Sequence, residues 1–183
     1  MDMKKQDSQR RGFTLIELLV VIAIIGLLAA IIVPAINGAF RTAKKARAMQ
    51  QCKDLQGACQ RYFSEYNRMP VPQGVKHGQA DKMYSTDNNA VVDILVLADG
   101  LKDQAVVNAR GIRFLDMDAK TQETYAKKQV LQDPWDKEYQ IFLDMDFDDR
   151  ISAGGVEEFK AKVGVRCAGP DGKWDTKDDI QTW

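Results

Sequence analysis

Between Leu18 and Ile36 the chain carries no charged residue and almost no polar one, and the run is entered past a single carboxylate, Glu17, in the stretch RRGFTLIELLVVIAIIGLLAAIIVP. About 20 apolar residues in a helix suffice to cross the hydrocarbon core of a bilayer. The run, taken with residues 13–17, reaches that length. An ordinary secretory signal has a shorter apolar core followed by a small-residue cleavage site. Here the core is longer, and the sequence after it, NGAFRTAKKARAMQ, reads as continuing helix. The segment is therefore expected to remain as a membrane helix. Lys4, Lys5, Arg10 and Arg11 precede it while Arg41, Lys44, Lys45 and Arg47 follow it, so the charge rule leaves its orientation open.

A carboxylate inside such a span costs several kcal/mol and asks for a named partner. Glu17 either sits at headgroup depth and touches water, or meets a cation from elsewhere. Beyond the helix, 183 residues leave room for one ordinary domain. The 26 Lys and Arg balance the 26 Asp and Glu, which is no signature of a chain that binds nucleic acid directly. The balance conceals polarity along the chain, because the apolar residues crowd the first fifth and the remainder is polar and rich in Asp. A water-facing domain on a membrane stem has this distribution.

After Pro34, Met49, Cys52, Leu55, Cys59, Tyr62 and Tyr66 recur at a 3-4-3-4 spacing, one stripe of an amphipathic helix that lays a face on the domain's own sheet. Pro34 lacks an amide donor and should kink or loosen the helix locally. The helix should stop before MPVP, since residues preceding proline avoid helical backbone. Residues 71–87 read as loop, and Val91, Ile94, Leu95 and Ala98 as a short helix stopped by Gly100. Residues 104–131 read as irregular with a short strand at 112–115. YQIFLDMDF reads as a half-buried strand and FKAKVGVRCAG as its antiparallel return. Three cysteines are too few for a disulfide scaffold. Cys52 and Cys59 stand about 10.5 Å apart along one helix, too far to bridge each other. Cys167 is left either to pair with one of them in an oxidising compartment or to serve, like them, as a small buried hydrophobe.

Catalytic machinery is thin. A single histidine, His77, leaves little for His-dependent dyads or metal sites, and no phosphate loop or nucleophile elbow is present; the chain is not expected to be an enzyme. Two acidic sets offer cation chemistry instead. The tail AGPDGKWDTKDDIQTW places Asp171, Asp175, Asp178 and Asp179 in one turn region, and calcium takes six to eight oxygens from such loops. The EF-hand spacing is missing. Asp144, Asp146 and Asp148, with Asp149 beyond them, alternate on one strand face. They read either as a rival cation site or as a solvated face ending in a turn, and Asp146 and Asp148 are within reach of the tail if the strands are adjacent.

The junction of a basic leader, Gly12, Phe13, Thr14, Leu15, Ile16 and Glu17, with Pro34 inside the apolar helix, resembles the prepilin leader of type IV pilins and type II secretion pseudopilins. The resemblance implies cleavage after Gly12 by a prepilin peptidase on the cytoplasmic side, methylation of the new amine at Phe13, and assembly roles for Glu17 and Pro34. Cleavage creates an α-amine, cationic near neutral pH, that a neighbouring subunit's Glu17 can meet in a filament core. The tail resembles the calcium loop of the major pseudopilin through Gly169, Asp171, Gly172, Thr176, Asp178, Asp179, Ile180 and Trp183, which implies Ca2+ ligands at Asp171, Asp178 and Asp179, with Thr176 beside them. Asp175 stands where a small residue is commoner, which leaves its metal role in doubt.

The implied fold is α+β and pilin-like, a long helix packed on a small antiparallel sheet with a calcium-type loop at the end. The implied organisation is a leader 1–12, a membrane segment 13–36, its amphipathic continuation 37–69 and a periplasmic domain 70–183. The implied role is a structural subunit of a secretion pseudopilus, single-pass in the inner membrane, polymerising with itself and other pseudopilins on an inner-membrane assembly platform. A type IV pilin or minor pilin is the alternative within the class. A membrane-tethered, calcium-dependent binding protein or hydrolase that never polymerises is the alternative outside it.

Overall fold

The computed structural model describes residues 13–99, 101 and 104–183; the expected leader with Gly12, and the expected helix stop at Gly100, lie outside them. The first element, α1 (Leu15–Tyr66), is a helix of 52 residues that continues through position 34 without a break. The chain divides into two compact units between Thr42 and Ala43, and α1 contributes to both.

In the first unit the described residues from 13 to 42 are exposed wherever their side chains are placed. A window of this helix reaches a mean hydropathy of 3.1, long and apolar enough to cross a membrane. Nothing in the unit covers Leu19, Ile24, Leu27 or Ile31, each at least half exposed.

In the second unit the same helix turns Ala48, Cys52, Leu55, Ala58, Cys59 and Tyr62 fully inward. Met49 and Tyr66 pack partly buried against that core, so the stripe expected from spacing is the contact face. The helix stops where expected: Asn67 takes a left-handed φ of 51° and donates to the Phe63 carbonyl at 2.7 Å, a carbonyl-capping turn that precedes the two prolines.

The sheet has four strands in the order β1 (Lys82–Tyr84), β2 (Gln140–Leu143), β3 (Val163–Cys167) and β4 (Ile180–Gln181), each antiparallel to its neighbour. Neither β1 nor β4 was expected from sequence. Two or three residues carry no periodicity of their own, and they become strands only because a longer partner offers its edge. The half-buried alternation expected for β2 is not what forms, since all four of its residues are buried. Ile141 and Leu143 enter the core shared with α1. Phe142, pointing the other way, is packed edge-on by Phe159 and Trp183, which stack on each other at 4.0 Å. Gly164, paired with Phe142 across the ladder, makes room for that lid: a Cβ there would come within 2.7 Å of the Phe159 ring.

Residues 104–131 also depart from expectation. They contain α3 (Gln104–Val107) and α4 (Ala119–Lys128), following α2 (Asn89–Val96). The strand expected at 112–115 does not form. The Phe114 and Leu115 amides instead donate to the Leu95 carbonyl at 2.8 and 3.0 Å, at the end of α2. The sequence signal overlooked for α4 was its start and stop: Asp118 accepts from the Thr121 amide as N-cap, and Lys127 and Lys128 occupy the last turn, both favoured by the helix termini. Two buried asparagines tie these irregular pieces together. Asn88 bonds the carbonyls of Leu131 and Tyr139 and the Leu131 amide. Asn108 bonds the carbonyls of Ile94 and Ile112 and accepts from Tyr66.

Candidate functional site

At the amino end of α1, Thr14 and Glu17 close on each other. The Thr14 amide and hydroxyl both donate to Glu17 Oε2, at 2.8 and 2.6 Å, and the Glu17 amide returns a bond to Thr14 Oγ1 at 3.3 Å. This is the capping box of a Thr-x-x-Glu start, in which N-cap and third helical residue satisfy each other's free amides. Sequence reading singled out Glu17 for its charge and overlooked Thr14, although the spacing was legible. Phe13, the expected first residue after cleavage, is exposed beside the box. Both Thr14 donors converge on one oxygen, Oε2.

The tail residues are brought together by the turn from β3 to β4. Asp178 Oδ2 accepts from the Asp171 amide at 3.2 Å and Oδ1 from the Thr176 hydroxyl at 2.9 Å. That hydroxyl lies 3.4 Å from Asp179 Oδ1, and Asp171 Oδ1 accepts from the Lys173 amide. The hydrogen bond from Thr176 holds the Asp178 carboxyl below its ordinary pKa, so it stays ionised into mildly acidic solution. Gly169, φ 66°, is required here, since a Cβ would come 2.1 Å from the Asp178 carbonyl oxygen.

Asp175 serves a different partner. Its carboxylate pairs with Arg166 at 2.8 Å, and Asp179 approaches the same guanidinium at 3.8 Å. Arg166 is nearly buried; it also bonds Gln140 at 2.7 Å and lies over the rings of Trp174 and Phe142. The backbone at Asp175 is left-handed, φ 64°, the physical reason a small residue suits that position. Sequence reading had no means of finding Arg166, because its partners come from β2 and from the far side of the tail loop.

The second acidic set is rearranged. Asp144 and Asp146 gather with Asp81, their ligand oxygens within 4.8 Å of one another, while Asp148 instead accepts from the Arg150 amide. Asp144 is fully buried, contrary to a solvated strand face, and its carboxylate accepts the Phe147 and Asp149 amides at 2.6 and 3.0 Å. Asp81 likewise accepts from Met145 and Ser152. These carboxylates build a turn beyond β2. They do not reach the tail: Leu143 at that end of β2 pairs with Val163, whereas the tail loop leaves β3 from its opposite end at Cys167.

Residues 7–33 match the model of the prokaryotic N-terminal methylation motif. The type II secretion system core protein G of Dickeya chrysanthemi is 29% identical over 97% of this chain and 88% of its own length. That of Escherichia coli K12 is 28% identical over 99% and 95%. The type IV major pilin protein PilA of Myxococcus xanthus is 41% identical, over 37% of this chain and 31% of its own. No solved structure gives a significant match. The chain thus carries that motif at the head of its apolar helix, bears an antiparallel sheet beside the helix's second half, and is similar along nearly its whole length to the type II secretion system core protein G.

Proposed function

We propose that the chain is cut between Gly12 and Phe13 by a prepilin peptidase, methylated on the new amine, and polymerised from the inner membrane into a secretion pseudopilus with its domain in the periplasm. One observation carries this reading: an apolar helix exposed on every side, led by one carboxylate, on a domain that completes its own core without it. Such a surface needs lipid before assembly and copies of itself afterwards. Similarity to pilins over about a third of the chain, against nearly all of it for core protein G, favours secretion over a type IV pilus. The relatives matched over their length are named as secretion-system core proteins, which favours a structural subunit over a tethered hydrolase.

The capping box gives the charge reading a test. Thr14 keeps its amide after cleavage, so the box can survive processing, and the Glu17 carboxylate would meet a neighbouring amine in a medium where an isolated charge is costly. Glu17→Gln keeps an oxygen for Thr14 and removes the charge. It is expected to insert, to be cleaved, and to yield no sheared filaments; filaments at the native level would sink the pairing.

The tail is the second site. Asp171, Asp178 and Asp179, with Thr176 beside them, supply the hard oxygen donors calcium prefers, and their shared hydrogen bonds support one ion among them. Asp175, engaged by Arg166, stands outside that ligand set. Bound there, calcium would neutralise clustered charge and clamp the turn before β4. Calcium is expected to raise the melting temperature of the native chain, and Asp178→Ala to remove that rise. A calorimetric titration without heat would end the calcium reading and leave the filament reading intact.

A further inference from the structure

We infer that Cys52 and Cys167 are a disulfide pair, fastening the covered part of α1 to β3 as the domain folds. The Cys52 sulfur lies 4.0 Å from the carbonyl oxygen of Ile180, and Ile180 is the residue directly opposite Cys167 in the ladder of β3 and β4. Both cysteines are fully buried, and in the structure both are free thiols. Ala48 and Cys52 stand one turn apart on the buried helix face, and such small side chains let a helix backbone approach a sheet closely enough for a sulfur bridge. Cys59, also buried, lies two turns further along the helix and out of reach of Cys52.

The inference rests on the proposed export of the domain, because disulfides persist in oxidising compartments and not in the cytoplasm. Chemically, one cysteine thiolate attacks the disulfide of a protein thiol oxidant, and the second displaces it from the mixed disulfide. Two thiols lose two protons and two electrons, and the oxidant's disulfide is reduced to two thiols. The bond forms before the core closes. In the folded domain the hydrogen bond with Cys167 and burial both push the Cys52 thiol pKa up, which starves the exchange of thiolate.

The test uses the full chain in its native membrane, quenched in acid, denatured, alkylated and mapped. Cys52 and Cys167 are expected to escape alkylation and to appear as one linked peptide, with Cys59 alkylated. Cys59→Ser keeps the link, and Cys52→Ser or Cys167→Ser abolishes it. Because the bridge would close a loop from residue 52 to residue 167, reduction is expected to lower the melting temperature by roughly 10 °C. The double variant Cys52→Ser, Cys167→Ser should show no response to reductant. Three alkylated cysteines, on a domain that protease added to spheroplasts can digest, would overturn the pair while leaving export intact. A domain protected from that protease would instead overturn export. The pair is then decided by refolding the full chain in detergent with a glutathione redox mixture: a Cys52–Cys167 link supports it, and any other pairing or none overturns it.

Discussion

Leu27 and Leu55 occupy the same helix, yet Leu27 is 66% exposed and Leu55 is 1% exposed. The first stretch of α1 is the more apolar of the two and stays exposed among the described residues. The second is mixed in polarity and supplies one wall of the core. Apolar content therefore does not say where a helix finds its cover. The second stretch alternates polar and apolar residues at helical spacing, and one face is matched by the sheet of the same chain. The first is apolar all round, which suits a solvent of lipid tails or a bundle of identical helices. The core of the second unit closes without the apolar stretch of the first.

Truncating the two leucines is expected to separate the two stretches most strongly. Leu55→Ala is expected to cost the domain about 2–5 kcal/mol through a lost side chain and the cavity left behind. Leu27→Ala should move the denaturant midpoint of the domain by less than about 0.5 kcal/mol, with any defect confined to filament yield. Equal losses of stability would show that the two stretches fold as one unit.

A smaller effect concerns how the covered half is closed at the tail. Arg166→Ala leaves Asp175 and Asp179 without their cation and Gln140 without its donor, and should lower stability by about 3 kcal/mol. Asp175→Gly removes an exposed partner of the same ion pair but relieves a left-handed backbone, so the two terms offset and the net change stays within about 1 kcal/mol. Thermal unfolding of both variants tests this. A larger loss in the glycine variant than in Arg166→Ala would place the anchor in the wrong residue.

The smallest effect lies where cover within the chain begins. Arg47 on α1 pairs with Asp118 at 2.9 Å, and Asp118 caps α4. Asp118→Ala should cost about 1 kcal/mol. The Thr121 amide and hydroxyl hold the Asp118 carboxyl below its ordinary pKa. A depressed folded-state pKa means that the contribution is present above the unfolded value, about 4, and is lost as pH falls through the folded one. Asp118→Asn keeps the cap and should flatten the acid limb of a stability profile; an unchanged limb would remove Asp118 from the account.

What was readable in advance follows the range of the forces involved. The helix stripe, its stop before Pro70 and the tail turn depend on neighbours a few residues apart. By contrast, β1, β4 and the burial of Asp144 depend on partners brought from elsewhere. α4 stands between these cases, since its cap and basic last turn were local signals that weak periodicity obscured.

By itself, the sequence determined that a long apolar helix leads a polar domain, that Glu17 stands alone at its entrance, and that Asp171, Asp178 and Asp179 share a turn. Each follows from backbone bonds and charges close along the chain. It took the folded chain to bring Arg166 to Asp175, Asp81 to Asp144 and Asp146, and Cys52 against Ile180, opposite Cys167. Those meetings are made by strand register and by the seat of a helix on a sheet, and the energy that selects them is released only when distant segments exclude water together.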